Sequence, residues 1–78
     1  SDVIATRAGG WTDQLAEVVR ELLSRGTPKT MDELNRVFET TVYKTALEFT
    51  HGKKIEAAQK LGVGRNTLTR KLQELGLR

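Results

Sequence analysis

The 78 residues contain no cysteine and a single histidine. A disulfide framework and a cysteine-based metal site are therefore excluded, and one histidine cannot build a metal site by itself. No apolar run approaches the length that spans a bilayer, and no secretory signal is visible. The only proline is Pro28, so no proline interrupts the periodic segments on either side of it. There is no strand-like alternation, internal repeat or low-complexity tract. An enzymatic role finds no support: no nucleophile stands with a base, no carboxylates pair in a plausible site and no metal-ligating cluster exists. Seventy-eight residues hold one domain at most, with a small core. The chain opens on Ser1 rather than Met, and the expectation is a segment of a longer protein.

What is present is charge, unevenly spread. The net charge is +3. Residues 1–50 hold six Lys/Arg against eight Asp/Glu, and residues 51–78 hold seven against two, so the last third carries the positive balance. Basic charge gathered at one end suits nucleic acid. It also describes an ordinary solvated face.

Hydrophobic spacing divides the chain. Residues 1–10 show no sustained period and close on Gly9-Gly10, which reads as a tail or linker. From Trp11, with Thr12 or Asp13 as cap, Leu15, Val18, Val19, Leu22 and Leu23 form one helical stripe over 12–25. Gly26 follows as a stop signal. Thr30 and Glu33 have capping-box spacing, and a helix is expected over 31–50. Its stripe is Leu34, Val37, Phe38, Thr41, Val42, Thr45, Ala46 and Phe49, and Gly52 ends it. Residues 11–51 thus predict an αα-hairpin. Two apolar stripes need a partner surface, and the remaining residues cover only part of them. A monomer closed by its own C-terminal helices is one solution. Two hairpins packed as a dimeric four-helix bundle is the other.

Residues 52–78 carry the sharpest pattern. Ile55, Ala58 and Leu61 give a first short helix an inner side, and Leu68, Leu72 and Leu75 do so for a second. Between them lies Gly62-Val63-Gly64. Gly62 can adopt the left-handed conformation of a sharp interhelix turn. Ala58 is small where the second helix crosses, and Val63 is apolar where the turn dips inward. Together these requirements specify a helix-turn-helix in an all-α chain. Gly62-Val63-Gly64 lacks the preceding strand and the spacing of a nucleotide loop, and Gly52-Lys53-Lys54 lacks the upstream glycine and the hydroxyl residue of a phosphate loop.

With Leu68 turned inward, Asn66, Thr69, Arg70 and Gln73 project to the opposite side of the second helix, flanked by Thr67 and Glu74. Arg65 is long enough to join them. In this motif the second helix enters the major groove of double-stranded DNA. Arginine pairs with guanine and asparagine with adenine in bidentate fashion. Lys53 and Lys54 precede the first helix, where a phosphate is favoured. Lys71 lies to the side and suits a phosphate better than a base. Plainer uses stand beside these. Arg70 can pair with Glu74 at i, i+4. Asn66 and Thr67 can serve the turn and cap alone, and Thr69 and Gln73 can be surface. His51 reads as a helix-end residue and Trp11 as a packing residue.

Residues 51–77, HGKKIEAAQKLGVGRNTLTRKLQELGL, resemble the C-terminal DNA-binding domains of NtrC-type nitrogen regulatory response regulators, members of the Fis-type helix-turn-helix group. The preceding hairpin is similar in plan. The resemblance implies a Fis-like fold and a homodimer on inverted-repeat enhancer sites, with Arg65, Asn66 and Arg70 as the main DNA readers. It implies a bacterial, cytoplasmic, nucleoid-associated location and no cofactor. It further implies a parent with a phosphorylatable receiver and an ATPase acting on sigma-54 RNA polymerase, though this stretch has neither a receiver-like strand pattern nor a phosphate loop. A DNA-bending nucleoid protein of the Fis sort is the alternative; Ser1–Gly10 is shorter than the arm such proteins carry. A helical protein-interaction module is the third reading, against which the basic C-terminal third speaks.

Overall fold

The computed structural model describes residues 2–77, with side chains from Gly10 onward. Ser1 and Arg78, the end residues of the expected tail and of the expected motif, lie outside the described residues. Four helices follow in order: α1 (Asp2–Ser24), α2 (Thr30–Phe49), α3 (Lys54–Leu61) and α4 (Arg65–Leu75). No strand occurs among the described residues, and no helix among them is long and apolar enough to cross a membrane. The chain divides into two compact units between Asp32 and Glu33.

The first unit is built on α1. Residues 1–10 read as a tail or linker without a sustained period, and the helix already runs through them from Asp2. Glycine in a helix interior costs only about 1 kcal/mol relative to alanine. Once the periodic segment beyond Trp11 is helical, each added residue gains a hydrogen bond without a new nucleation cost. Gly9-Gly10 therefore weakens the helix without ending it. The stop falls where expected. Gly26 has φ +69°, and the N–H groups of Gly26 and Thr27 donate to the carbonyls of Leu23 and Leu22, both at 3.1 Å. This is the paired closure of a glycine-terminated helix. Thr30, expected to cap α2, is its first residue instead, and its hydroxyl donates back to the Thr27 carbonyl at 2.9 Å.

The second unit takes in the rest of α2 together with α3 and α4. Its core is Tyr43 and Leu47 from α2, Ala57 and Ala58 from α3, and Leu68 and Leu72 from α4. Ala46, Leu61, Val63, Leu75 and Leu77 close its edges. Two adjacent alanines put almost no side-chain bulk between α3 and α4, so Leu68 packs down to complete burial. The turn is as expected: Gly62 has φ +78°, and the Val63 N–H donates to the Ala58 carbonyl at 3.0 Å. Gly64, in extended conformation, starts α4.

Two inward assignments change. Ile55 is 53% exposed, and Ala57 takes the inner place beside Ala58. On a helix, positions 57, 58 and 61 share a face from which 55 is rotated away. In α2 the expected stripe does not supply the core. Tyr43 and Leu47 do, with Ala46 of the stripe only at the core's edge, while Val37, Phe38 and Phe49 stay exposed. Thr50 is buried with its hydroxyl satisfied by the Ala46 and Lys53 carbonyls, each 3.1 Å away. It thereby fastens the end of α2 to the start of α3. His51 sits at the helix end with φ +55°.

Candidate nucleic-acid interface

The interface is built on α4. Leu68 and Leu72 anchor one side of it in the core, so residues on the opposite side must face solvent. Asn66, Thr69, Arg70 and Gln73 are exposed there, as is Arg65 at the helix start. Thr67 is half-buried beside the turn, its hydroxyl about where a side chain on Gly64 would reach. The Thr69 hydroxyl donates to the Arg65 carbonyl at 3.1 Å, within the helix. The outward row read from spacing is thus brought together on one face.

Lys53 and Lys54 come to the same side. With Gly52, Ile55, Arg65 and Thr69 they line an open groove of about 440 Å³. Lys53 is the residue before α3 and has extended backbone. No side chain caps α3, whose first turn opens beside the groove that Lys53 and Lys54 line. An anion is favoured at such a place by charge and by the helix dipole together. Ile55 is the member of this groove that periodicity misplaces. Its apolar side chain adds a surface able to meet a thymine methyl or a sugar edge.

Two cations of α4 are engaged within the chain. The Arg70 guanidinium lies 3.5 Å from Glu74, both side chains being more than half exposed. At such exposure an ion pair holds loosely and yields to a competing acceptor. Lys71 differs. Its ammonium is 2.9 Å from Glu39 of α2 and 3.8 Å from Glu74, and the hydrogen bond to Glu39 raises its pKa above the ordinary lysine value. The structure does not bring Lys71 into the groove with Lys53 and Lys54. The Arg70–Glu74 spacing is readable from the sequence, whereas Glu39 carries no local signal because its partner lies far along the chain.

Residues 36–75 match the family described as "Bacterial regulatory protein, Fis family". The chain is 47% identical over 77 residues, 97% of its length, to the DNA-binding transcriptional regulator NtrC of Klebsiella pneumoniae. It is 46% identical over 67 residues, 86% of its length, to NtrC of Escherichia coli K12, and 43% identical over the same share to NtrC of Proteus hauseri. It spans 14–15% of the length of these relatives. No solved structure matches it. The match runs from α2 through α4, the helices that form the core of the second unit and carry the exposed row, and by it the chain belongs to the Fis family of bacterial regulatory proteins.

Proposed function

We propose that this chain binds double-stranded DNA sequence-specifically as a homodimer, and that it serves as the DNA-binding domain of an NtrC-like transcriptional activator. The observation that carries the reading is the exposed row of α4. Arg65, Asn66, Thr69, Arg70 and Gln73 stand opposite Leu68 and Leu72, with Lys53 and Lys54 beside them. Arg70 and Asn66 are one helical turn apart, a spacing that follows successive bases along the major groove. Arg65, at the start of the same helix, would read bases with them, and Lys53 and Lys54 would hold phosphates at the rim.

The dimer is supported by apolar surface within each unit. Trp11, Leu15, Val18 and Leu23 of α1 are exposed, as are Val37, Phe38 and Phe49 of α2. A second copy would cover them by bundle packing and would set two α4 helices on one duplex, which suits an inverted repeat. In a regulator of the NtrC kind the domain would hold the activator at enhancer sites, and contact with sigma-54 RNA polymerase would be made by other parts of the protein. Such a protein works in the bacterial cytoplasm, at the nucleoid.

Selection of bound duplexes from a random pool tests the reading. One inverted-repeat motif is expected. Arg70→Ala and Asn66→Ala should each lose about 1–3 kcal/mol per half-site and relax preference at one base position, with helicity unchanged. A pool that yields no motif would point instead to a DNA-bending protein of low sequence preference. Equal loss on selected and scrambled duplexes would make Arg70 a phosphate contact.

A further inference from the structure

The row on α4 reads bases only if the helix presents the right angle to the groove. Leu68 and Leu72 hold α4 down by apolar packing, which is non-directional and tolerates rotation about the helix axis. A short, charge-assisted hydrogen bond set off to one side of that seam is directional. The second unit contains one such bond from α4 to another helix among its described ion pairs: Lys71 Nζ to Glu39 of α2, at 2.9 Å.

Three features set this pair apart from surface decoration. Its side chains are only 26% and 29% exposed, against 59% and 52% for Arg70 and Glu74. It joins two helices, where the other described ion pairs are i, i+3 or i, i+4 contacts within one. And it continues outward, since Lys71 also neighbours Glu74 at 3.8 Å and Glu74 holds Arg70 at 3.5 Å. Charges therefore alternate from α2 to the exposed row, as Glu39, Lys71, Glu74 and Arg70. A phosphate approaching Lys71 would meet two carboxylates before a free ammonium.

We infer that Lys71 is a positioning residue for DNA reading and not a phosphate contact: with Glu39 it fixes the rotation of α4 on α2, and through Glu74 it steadies Arg70. The inference rests on the DNA-binding reading above. It has an uncommon consequence for Glu39. Removing a negative charge should strengthen DNA binding if only the overall field matters. If Glu39 positions α4 through Lys71, its removal weakens specific binding.

The test measures binding of the 78-residue chain to two probes over a series of salt concentrations. One probe is the duplex selected from a random pool by the unmodified chain, and the other is its scrambled counterpart. The variants are Lys71→Met and Glu39→Met, with Lys54→Ala as the phosphate control and circular dichroism on each. Lys71→Met and Glu39→Met should each weaken the selected duplex by about tenfold, within the range of one lost base pairing. Binding to the scrambled duplex and the log–log salt slope should hold, while preference relaxes at the base read by Arg70. Lys54→Ala should weaken both duplexes alike and flatten the slope by about 0.9 for each phosphate no longer neutralised. The inference is overturned if Lys71→Met behaves as Lys54→Ala does, if Glu39→Met tightens both duplexes, or if both Met variants keep the full base preference. If one Met variant fails to fold, the other decides. If the unmodified chain selects no duplex, the DNA-binding reading itself has failed, and that result is visible before any variant is made.

Discussion

The two units bury their apolar residues to different degrees. In Glu33–Leu77, six hydrophobic residues from three helices close a core around a completely buried Leu68. In the first unit no residue from Gly10 to Asp32 is buried, and Leu15, Val18 and Leu23 lie at the surface of a helix with a clear apolar stripe. Both show the same amphipathic spacing. The difference is that α3 and α4 are short and joined by a tight turn, and α3 faces the leucines of α4 with alanine, so their stripes meet each other and α2. A stripe on a single long helix has no such neighbour in its own unit. Amphipathicity states that a face must be covered; only packing states what covers it.

The second unit is most vulnerable at Leu68, its completely buried leucine. Leu68→Ala should cost about 2–5 kcal/mol, the usual range for truncating a buried leucine, because the space it leaves lies between α3 and α4. Denaturant unfolding followed by circular dichroism checks it, and loss of helical signal at low denaturant is expected. An unchanged midpoint would mean that the second unit does not depend on this core.

The first unit should respond in another way. Joint replacement of Leu15 and Val18 by serine removes apolar surface that is already exposed, so little local packing disappears. If a second copy covers that surface, the unmodified chain melts at temperatures that rise with protein concentration, and the double variant loses that dependence. Sedimentation would show it as a monomer. A melt independent of concentration in the unmodified chain would remove the homodimer and leave α1 without a covering partner.

A smaller effect sharpens the contrast inside the second unit. Gly62→Ala places a Cβ in open space, so no clash is involved, but the backbone there has φ +78°. The left-handed conformation costs a non-glycine residue roughly 1–2 kcal/mol. That loss should appear in denaturant unfolding without change in base preference. Gly64→Ala is the natural control: its backbone has φ −70°, and the added Cβ would meet only the Thr67 hydroxyl at an ordinary 3.7 Å. A larger loss at Gly64 than at Gly62 would mean that backbone conformation is not what makes glycine necessary in this turn.

The motif is legible in the sequence because its requirements are local. Ala58, Gly62, Leu68 and Leu72 all fall within one stretch of fifteen residues, and their spacing alone sets two helices across a tight turn. The outward row from Arg65 to Gln73 follows once Leu68 is turned inward. The pairing of Lys71 is illegible for the opposite reason: its angle on α4 can be counted, but its partner on α2 cannot.

The sequence by itself therefore determined the helical periods, the stop at Gly26, the left-handed turn at Gly62, the inner side of α4 and the basic balance of the last third. All of these depend on neighbours along the chain. Tertiary structure decided which side of α2 would be buried, choosing Tyr43 and Leu47 over the stripe that runs through Val37 and Phe38. It turned Ile55 outward into the groove with Lys53 and Arg65, and it joined Lys71 to Glu39. Periodicity fixes the angles of side chains around one helix axis, but the angle at which another helix arrives is set by the packing of both.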